Sequence, residues 1–205
     1  MKITGIKQQV KLQGRYSIFV DEKYTFSLGE GALLDAKIYV GQELDENQVA
    51  AYKKLSANDK AYSLTLAYVA RRMRSRWELE DYFRRKGYDE EVGREILEKL
   101  ARFGYVDDEA FARSWVENRR LLKPVSKRRL SQELRQKRIA DDIIDIVLME
   151  DETDELDTLK QLVERKRKQT KYQDDLKLMQ YLAGQGFGYG DIKSVLQNEE
   201  YRADI

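Results

Sequence analysis

Three stretches of this chain carry the same apolar code. With Gly87, Arg138 and Gly186 in register as turn residues, leucines stand eight positions earlier at Leu79, Leu130 and Leu178. Phe83, Leu134 and Leu182 stand four positions before the turn, and Tyr88, Ile139 and Phe187 one after it. Ile96-Leu97, Val147-Leu148 and Val195-Leu196 follow nine and ten positions on. Ser75, Ser126 and Asp174 stand twelve before the turn, all of them good helix N-caps. The repeats are 51 and then 48 residues apart. Periods of this size belong to stacked helical units, each too small to bury its apolar face alone. They point to a scaffold that binds something large, and only weakly to an enzyme with one pocket.

Composition supports a folded, helix-rich chain. Charged residues make up 37% and hydrophobic residues 41% of the 205, with a single proline, and the apolar residues recur at helical spacing. No apolar run approaches the roughly 20 residues a membrane span needs, and the N-terminus lacks the apolar core of a signal peptide. Cytoplasmic residence is the expectation, and the absence of Cys fits it. With neither Cys nor His present, zinc–thiolate sites and Ser-His or Cys-His catalysis are excluded.

Residues 1–28 differ from the rest. Val10-Lys11-Leu12, Tyr16–Val20 and Tyr24–Leu28 are rich in β-branched and aromatic residues, with turns at Gln13-Gly14-Arg15 and Asp21-Glu22-Lys23. The pattern predicts a small antiparallel meander, one that needs neighbours to pack against. A short helix is expected over 29–38, a turn or short strand at Val40–Leu44, and a helix capped by Asp45 ending near Leu55. The domain organisation read from the repeats is a β-rich extension with a linking helix over 1–56, then three-helix units at 57–106, 107–152 and 153–205. The fold class is mainly α, an elongated curved array of three tandem repeats. Ser75 and Glu78 have capping-box spacing, and residues 199–205 are expected to fray.

Net charge is only +1, but it is unevenly spread. Residues 119–138 hold nine bases against one acid, Glu133, and 139–157 hold nine acids and no base. Segments 71–86 and 160–177 each hold seven bases against three acids. A charge run is ordinarily a solvated face. Recurrence at equivalent repeat positions points instead to a basic stripe. In repeat one the cluster is Arg71, Arg72, Arg74 and Arg76, followed by Arg84, Arg85 and Lys86. In repeat two it is Arg119, Arg120, Lys123, Lys127, Arg128 and Arg129, followed by Arg135 and Lys137. In repeat three it is Arg165, Lys166, Arg167 and Lys168, with Lys171 and Tyr172. Guanidinium forks suit carboxylates and phosphates alike. Trp77 is placed either to stack on a base or to pack between repeats, and packing is the favoured reading.

Other groupings carry less. Asp107-Asp108, Asp141-Asp142 and Asp174-Asp175 resemble the carboxylate pairs of a magnesium-dependent nuclease. All three lie at predicted helix starts, where acids satisfy free amides and the helix dipole. Gly184, Gly186, Gly188 and Gly190 follow a helix rather than a strand, so a turn suits them better than a phosphate cradle.

Leu100 to Arg119, with its string Gly104-Tyr105-Val106-Asp107-Asp108, resembles the signature of the RecX family. Lys127 to Ile139 and Arg71 to Gly87 resemble it too, and the β-rich extension is similar to that of longer members. The resemblance covers nearly the whole chain. The chain departs from the family pattern at Arg138, where members usually have Gly, and at Lys123-Pro124, where they have Gly-Pro. Its third repeat is the most diverged. What the resemblance implies is a non-enzymatic regulator without cofactors. Such a regulator binds the RecA–single-stranded-DNA filament, lies in its groove and dampens ATPase, strand exchange and the recombination and SOS functions they serve. A monomer is expected, with RecA, DNA within the filament and weak direct DNA binding as partners, and no membrane. Reversing charge at Arg71, Arg72, Arg128 and Arg129 together is expected to abolish inhibition. The competing readings are a stand-alone DNA-binding protein built from helix-turn-helix-like units, a helical scaffold for another client, and the nuclease.

Overall fold

The computed structural model describes residues 1–203. They form two compact units: Met1–Met73 with Leu79–Tyr105, and Arg74–Glu78 with the chain from Val106 onward. The boundary thus falls inside the second helix of repeat one, whose first turn belongs with the later repeats.

The first unit begins with a three-stranded antiparallel sheet, β1 (Ile3–Gln8), β2 (Arg15–Val20) and β3 (Lys23–Gly29), with β2 in the middle. Asp21 and Glu22 connect β2 to β3, both with positive φ (47° and 67°). Two such residues make the hairpin turn whose twist matches the flanking strands. Period-two alternation buries Ile18, Phe26 and Leu28, which form a core with Ile3, Leu44 and Val49. The first strand lies earlier than the 10–12 stretch suggests. Pairing Gln8 with Tyr16 leaves Val10 to Gly14 as the connecting loop, where Val10 is 99% exposed and Gly14 has φ 75°.

Two helices follow, α1 (Glu30–Asp35) and α2 (Glu46–Val69). Asp45 opens α2 with a capping box completed by Gln48. The helix does not stop near Leu55 but continues through the expected repeat boundary. Ser56 and Asp59 look like cap residues, yet their side chains tie the helix to the sheet. Ser56 Oγ donates to Ser27 O at 2.6 Å. Asp59 Oδ2 accepts from Arg15 Nη1 and from the Gly29 amide, each at 2.8 Å. Arg15 is buried and also reaches Ser27 through Oγ and O. The helices α3 (Arg76–Lys86) and α4 (Glu90–Arg102) complete repeat one, burying Leu79, Phe83, Ile96, Leu97 and Leu100 as the apolar code requires.

The second unit contains α5 (Asp108–Leu122), α6 (Lys127–Gln136) and α7 (Asp141–Glu150), then α8 (Glu155–Arg167), α9 (Asp175–Gly184) and α10 (Tyr189–Ala203). Each trio closes on its own core. Phe111, Leu130, Leu134, Ile144 and Val147 lead in one, and Leu159, Leu162, Leu178, Leu182 and Ile192 in the other. Asp107, Ser126, Asp154 and Asp174 each accept an amide proton as side-chain caps. Helix α10 is assigned to Ala203, and residues 204 and 205 of the segment expected to fray lie outside the described residues.

The three turns adopt one shape. Gly87, Arg138 and Gly186 have φ of 67°, 58° and 92°. The residue after each donates its amide back to the carbonyl five positions earlier: Tyr88 to Phe83, Ile139 to Leu134 and Phe187 to Leu182. Arg138 therefore takes the left-handed conformation its glycine counterparts hold, at a cost of about 1 kcal/mol.

Within the second unit, consecutive repeats join by one recurring device. Ser75 Oγ donates to Lys137 O at 3.1 Å, beside the Arg138 turn. One repeat on, the Ser126 amide donates to Gln185 O at 3.1 Å, beside the Gly186 turn. The first amide of each second helix meets an acid from the start of the next repeat: Arg76 N donates to Asp108 Oδ1 at 2.7 Å, and Lys127 N to Glu155. A Cβ on Gly186 would run into Ser126 Oγ and lie 2.9 Å from Arg129 Cβ, so this junction requires glycine for space as well as for φ.

Candidate partner-binding surface

The recurring basic clusters contain two kinds of residue. One arginine per repeat, near the end of the first helix, clamps the loop that leads into the second. Arg72 Nη1 donates to Met73 O at 2.8 Å, and Arg120 Nη1 to Val125 O at 2.5 Å. Arg167 Nη1 donates to Tyr172 O and Gln173 O, at 3.2 and 3.1 Å. Loop carbonyls ahead of a helix have no intrahelical donor, so a guanidinium fork satisfies them. Arg120 also pairs with Asp151, and Arg167 with Asp175.

The middle cluster is largely built into the fold. Glu133, the lone acid in its basic run, is buried and gathers three donors. Trp115 Nε1 and Arg119 Nε reach its Oε2 at 3.0 and 2.8 Å, and Arg129 Nε lies 3.5 Å from its Oε1. Arg119 and Lys137 both lie against the Trp115 ring, 4.9 and 5.2 Å from its centroid. Lys137 Nζ donates to Glu78 Oε1 at 2.6 Å, and Lys127 Nζ to Asp151 O at 2.5 Å. Arg119 and Arg129 are therefore held by Glu133, Arg120 by Asp151 and Lys137 by Glu78, while Lys127 reaches the Asp151 main-chain carbonyl. Trp115 and these acids are the residues that a search for basic stripes passes over. The signal for Glu133 was its isolation among nine bases.

Electrostatics follow the packing. Burial pushes the Asp108 carboxyl up, against the opposing hydrogen bond from the Arg76 amide. Burial acts the same way on Asp151, but the bonds from Arg120 and Thr153 outweigh it and hold this carboxyl below its ordinary value.

Most of the remaining candidates face solvent. In the first unit these are Arg71, Arg84, Arg85 and Lys86, with Arg72 exposed despite its clamp. Arg84 and Arg85 reach back to Asp81 at 3.1 and 2.9 Å, but both keep more than 60% of their side-chain surface exposed. Such pairs contribute little and yield readily to a partner. Lys86 Nζ lies 5.8 Å from the Tyr82 ring centroid. In the second unit Arg76, Arg128, Arg165 and Lys168 are exposed, as is Arg135, whose pair with Asp141 spans 2.8 Å at the surface. Arg74 is half-buried, and so is Trp77. Lys166 sits over Tyr172 and Tyr181, 5.2 and 4.6 Å from their centroids.

Four family descriptions match along the chain. They are the RecX N-terminal domain at residues 1–45 and the first, second and third RecX three-helix domains at 61–100, 107–148 and 152–196. A regulatory protein RecX from Oceanobacillus iheyensis is 31% identical over 216 aligned positions, which cover 99% of this chain and 78% of that one. The chain belongs to the RecX family. A RecX from Lactobacillus johnsonii is 34% identical over 153 residues, 75% of this chain, and the match spans 56% of that relative's length. Among solved structures, a crystal structure of regulatory protein RecX aligns with a TM-score of 0.72 and 32% identity, covering 96% of this chain and 98% of that one. A RecX from Lactobacillus salivarius aligns with a TM-score of 0.57 and 25% identity, covering 70% and 97%.

Proposed function

We propose that this protein is a non-enzymatic regulator that binds the RecA–single-stranded-DNA filament and lowers its ATPase and strand-exchange activities. It would act in the cytoplasm as a monomer, through three-helix units at 57–106, 107–152 and 153–205. Membership of the RecX family supports the choice of partner. The observation that carries the contact surface is the division of the recurring cations into internal clamps and exposed residues. Arg120, Arg167, Arg119 and Lys137 are occupied within the fold. Arg71, Arg84, Arg85 and Lys86 on one unit, and Arg76, Arg128, Arg135, Arg165 and Lys168 on the other, remain for carboxylates or phosphates of the filament. Several weak contacts on one chain add as avidity. Lowered activity requires tighter binding to an inactive filament state than to the active one.

A variant reversing charge at Arg71, Arg128 and Arg165 tests this surface. All three are exposed, so the fold is expected to persist, unlike a variant that includes the clamp Arg72 or the Glu133 partner Arg129. Filament affinity measured by fluorescence anisotropy on labelled single-stranded DNA coated with RecA is expected to fall by about tenfold or more. Wild-type affinity in a folded variant overturns the assignment.

A further inference from the structure

A groove of about 610 Å³ opens in the first unit among α1, α2 and α4, within the range of about 300–1,000 Å³ typical of binding clefts. Its lining includes Ala32 from α1 and Ala36 just after it, Leu55 from α2, and Val92 and Ile96 from α4. The small residues of α1 leave the space between the helices unfilled, and Leu55 is 37% exposed beside it. Asp59 in the wall is already held by Arg15 and the Gly29 amide. Asp35 and Glu95 are different: both line the groove, both are exposed, and neither is in an ion pair among the described residues. The one cation in the lining is Lys99, whose Nζ lies 4.2 Å from the Tyr62 ring centroid.

We propose that this groove docks a segment of a partner protein carrying an aliphatic side chain beside a Lys or Arg. The aliphatic group would cover the exposed part of Leu55 together with Ala32 and Ala36, over a floor of Val92 and Ile96 that is already buried, removing apolar surface from water. The cation would meet Asp35 and Glu95 at the rim, and its own methylene stem extends the apolar contact. An acidic peptide or a nucleic-acid backbone would bring like charge to two unpaired carboxylates, so charge selects a basic segment. None of the cations assigned to filament binding lines this groove, which makes it a second, chemically opposite surface. That RecA supplies the segment rests on the reading above, whereas the chemistry of the segment does not.

The test uses the full chain with labelled methyl groups. It is titrated with a synthetic amphipathic Leu–Lys peptide and with a Leu–Glu peptide of the same length and pattern. The Leu–Lys peptide is expected to shift the methyls of Leu55, Ala32 and Ala36, and the Leu–Glu peptide to leave them in place. Asp35→Lys with Glu95→Lys is expected to weaken Leu–Lys binding by about tenfold without changing Tm, since both carboxylates are exposed and unpaired. Unmoved groove methyls, an equal response to Leu–Glu, or shifts confined to the acid-rich 139–157 segment would overturn the proposal. Shifts that follow protein concentration with no peptide present would make a second copy the occupant and overturn it as well. Filament affinity of the same double variant is the second arm. Failure of the wild type to bind the filament defeats the reading above, while the methyl result still decides the groove.

Discussion

Glu133 concentrates more of the fold's electrostatics than any exposed cation does. Its buried carboxylate holds the half-buried Trp115, Arg119 and Arg129 in one cluster. Removing the carboxylate leaves the Trp115 Nε1–H without its acceptor and two partly exposed guanidiniums without their partner, so Glu133→Ala is expected to cost about 1–3 kcal/mol, read as a lower denaturation midpoint. Arg138 offers the opposite experiment. Its φ of 58° strains a side-chain-bearing residue, and Arg138→Gly is expected to raise stability by about 1 kcal/mol. A loss on substitution would mean that the Arg138 side chain holds the junction. Asp151 sets part of the pH response. Its carboxyl lies below its ordinary value in the folded state because Arg120 and Thr153 outweigh the effect of burial. The unfolded chain therefore takes up the proton first as pH falls. Stability from this group is present above the unfolded carboxylate pKa and is lost as pH drops through the lower folded one. Chemical denaturation across that acid range is expected to show a shallower decline in Asp151→Asn, which is itself less stable at neutral pH.

At the scale of the helix, caps and turns carry the repeat from sequence into structure. Ser126 accepts from the Arg129 amide at 3.1 Å, while its own amide binds Gln185 O across the repeat junction. Ser126→Ala removes the cap and keeps the amide, so thermal unfolding is expected to report a loss of about 1 kcal/mol. Gly186→Ala is expected to be worse, because the new Cβ meets Ser126 Oγ in addition to the strained φ. The code around Gly87, Arg138 and Gly186 was legible because each repeat buries the same helical stripe. The hairpin at Asp21-Glu22 was legible because its strands alternate. The start of β1 and the length of α2 were not, for a shared reason: long-range pairing decided both. Gln8 pairs with Tyr16, which turns the β-branched Val10 out to solvent. Ser56 and Asp59, local helix-cap chemistry in sequence, find partners on the sheet and stay inside a helix. The candidate surface was legible as recurrence of basic residues but not as function. Basic clusters also serve structural roles: Arg72, Arg120 and Arg167, at different register positions, each satisfy a loop carbonyl of their own repeat.

For the whole molecule, the division into two compact units places exposed cations on both, so neither unit alone carries the proposed surface. Charge on the two units should then act together on one filament. Reversing Arg71 alone or Arg165 alone is expected to weaken binding modestly, and reversing both to weaken it by about the sum of the two in free energy while both units engage at once. Salt should weaken binding to the filament, because exposed pairs are screened, while the apolar cores of the repeats keep the fold intact over the same range. The most direct test of the central claim is DNA-stimulated ATP hydrolysis by the cognate RecA on single-stranded DNA, titrated with wild-type protein and with the Arg71, Arg128 and Arg165 charge-reversal variant. The account predicts that hydrolysis falls at wild-type concentrations well below that of RecA and that the folded variant fails to lower it. Unchanged hydrolysis with the wild type, on RecA and DNA shown to be active, would contradict it.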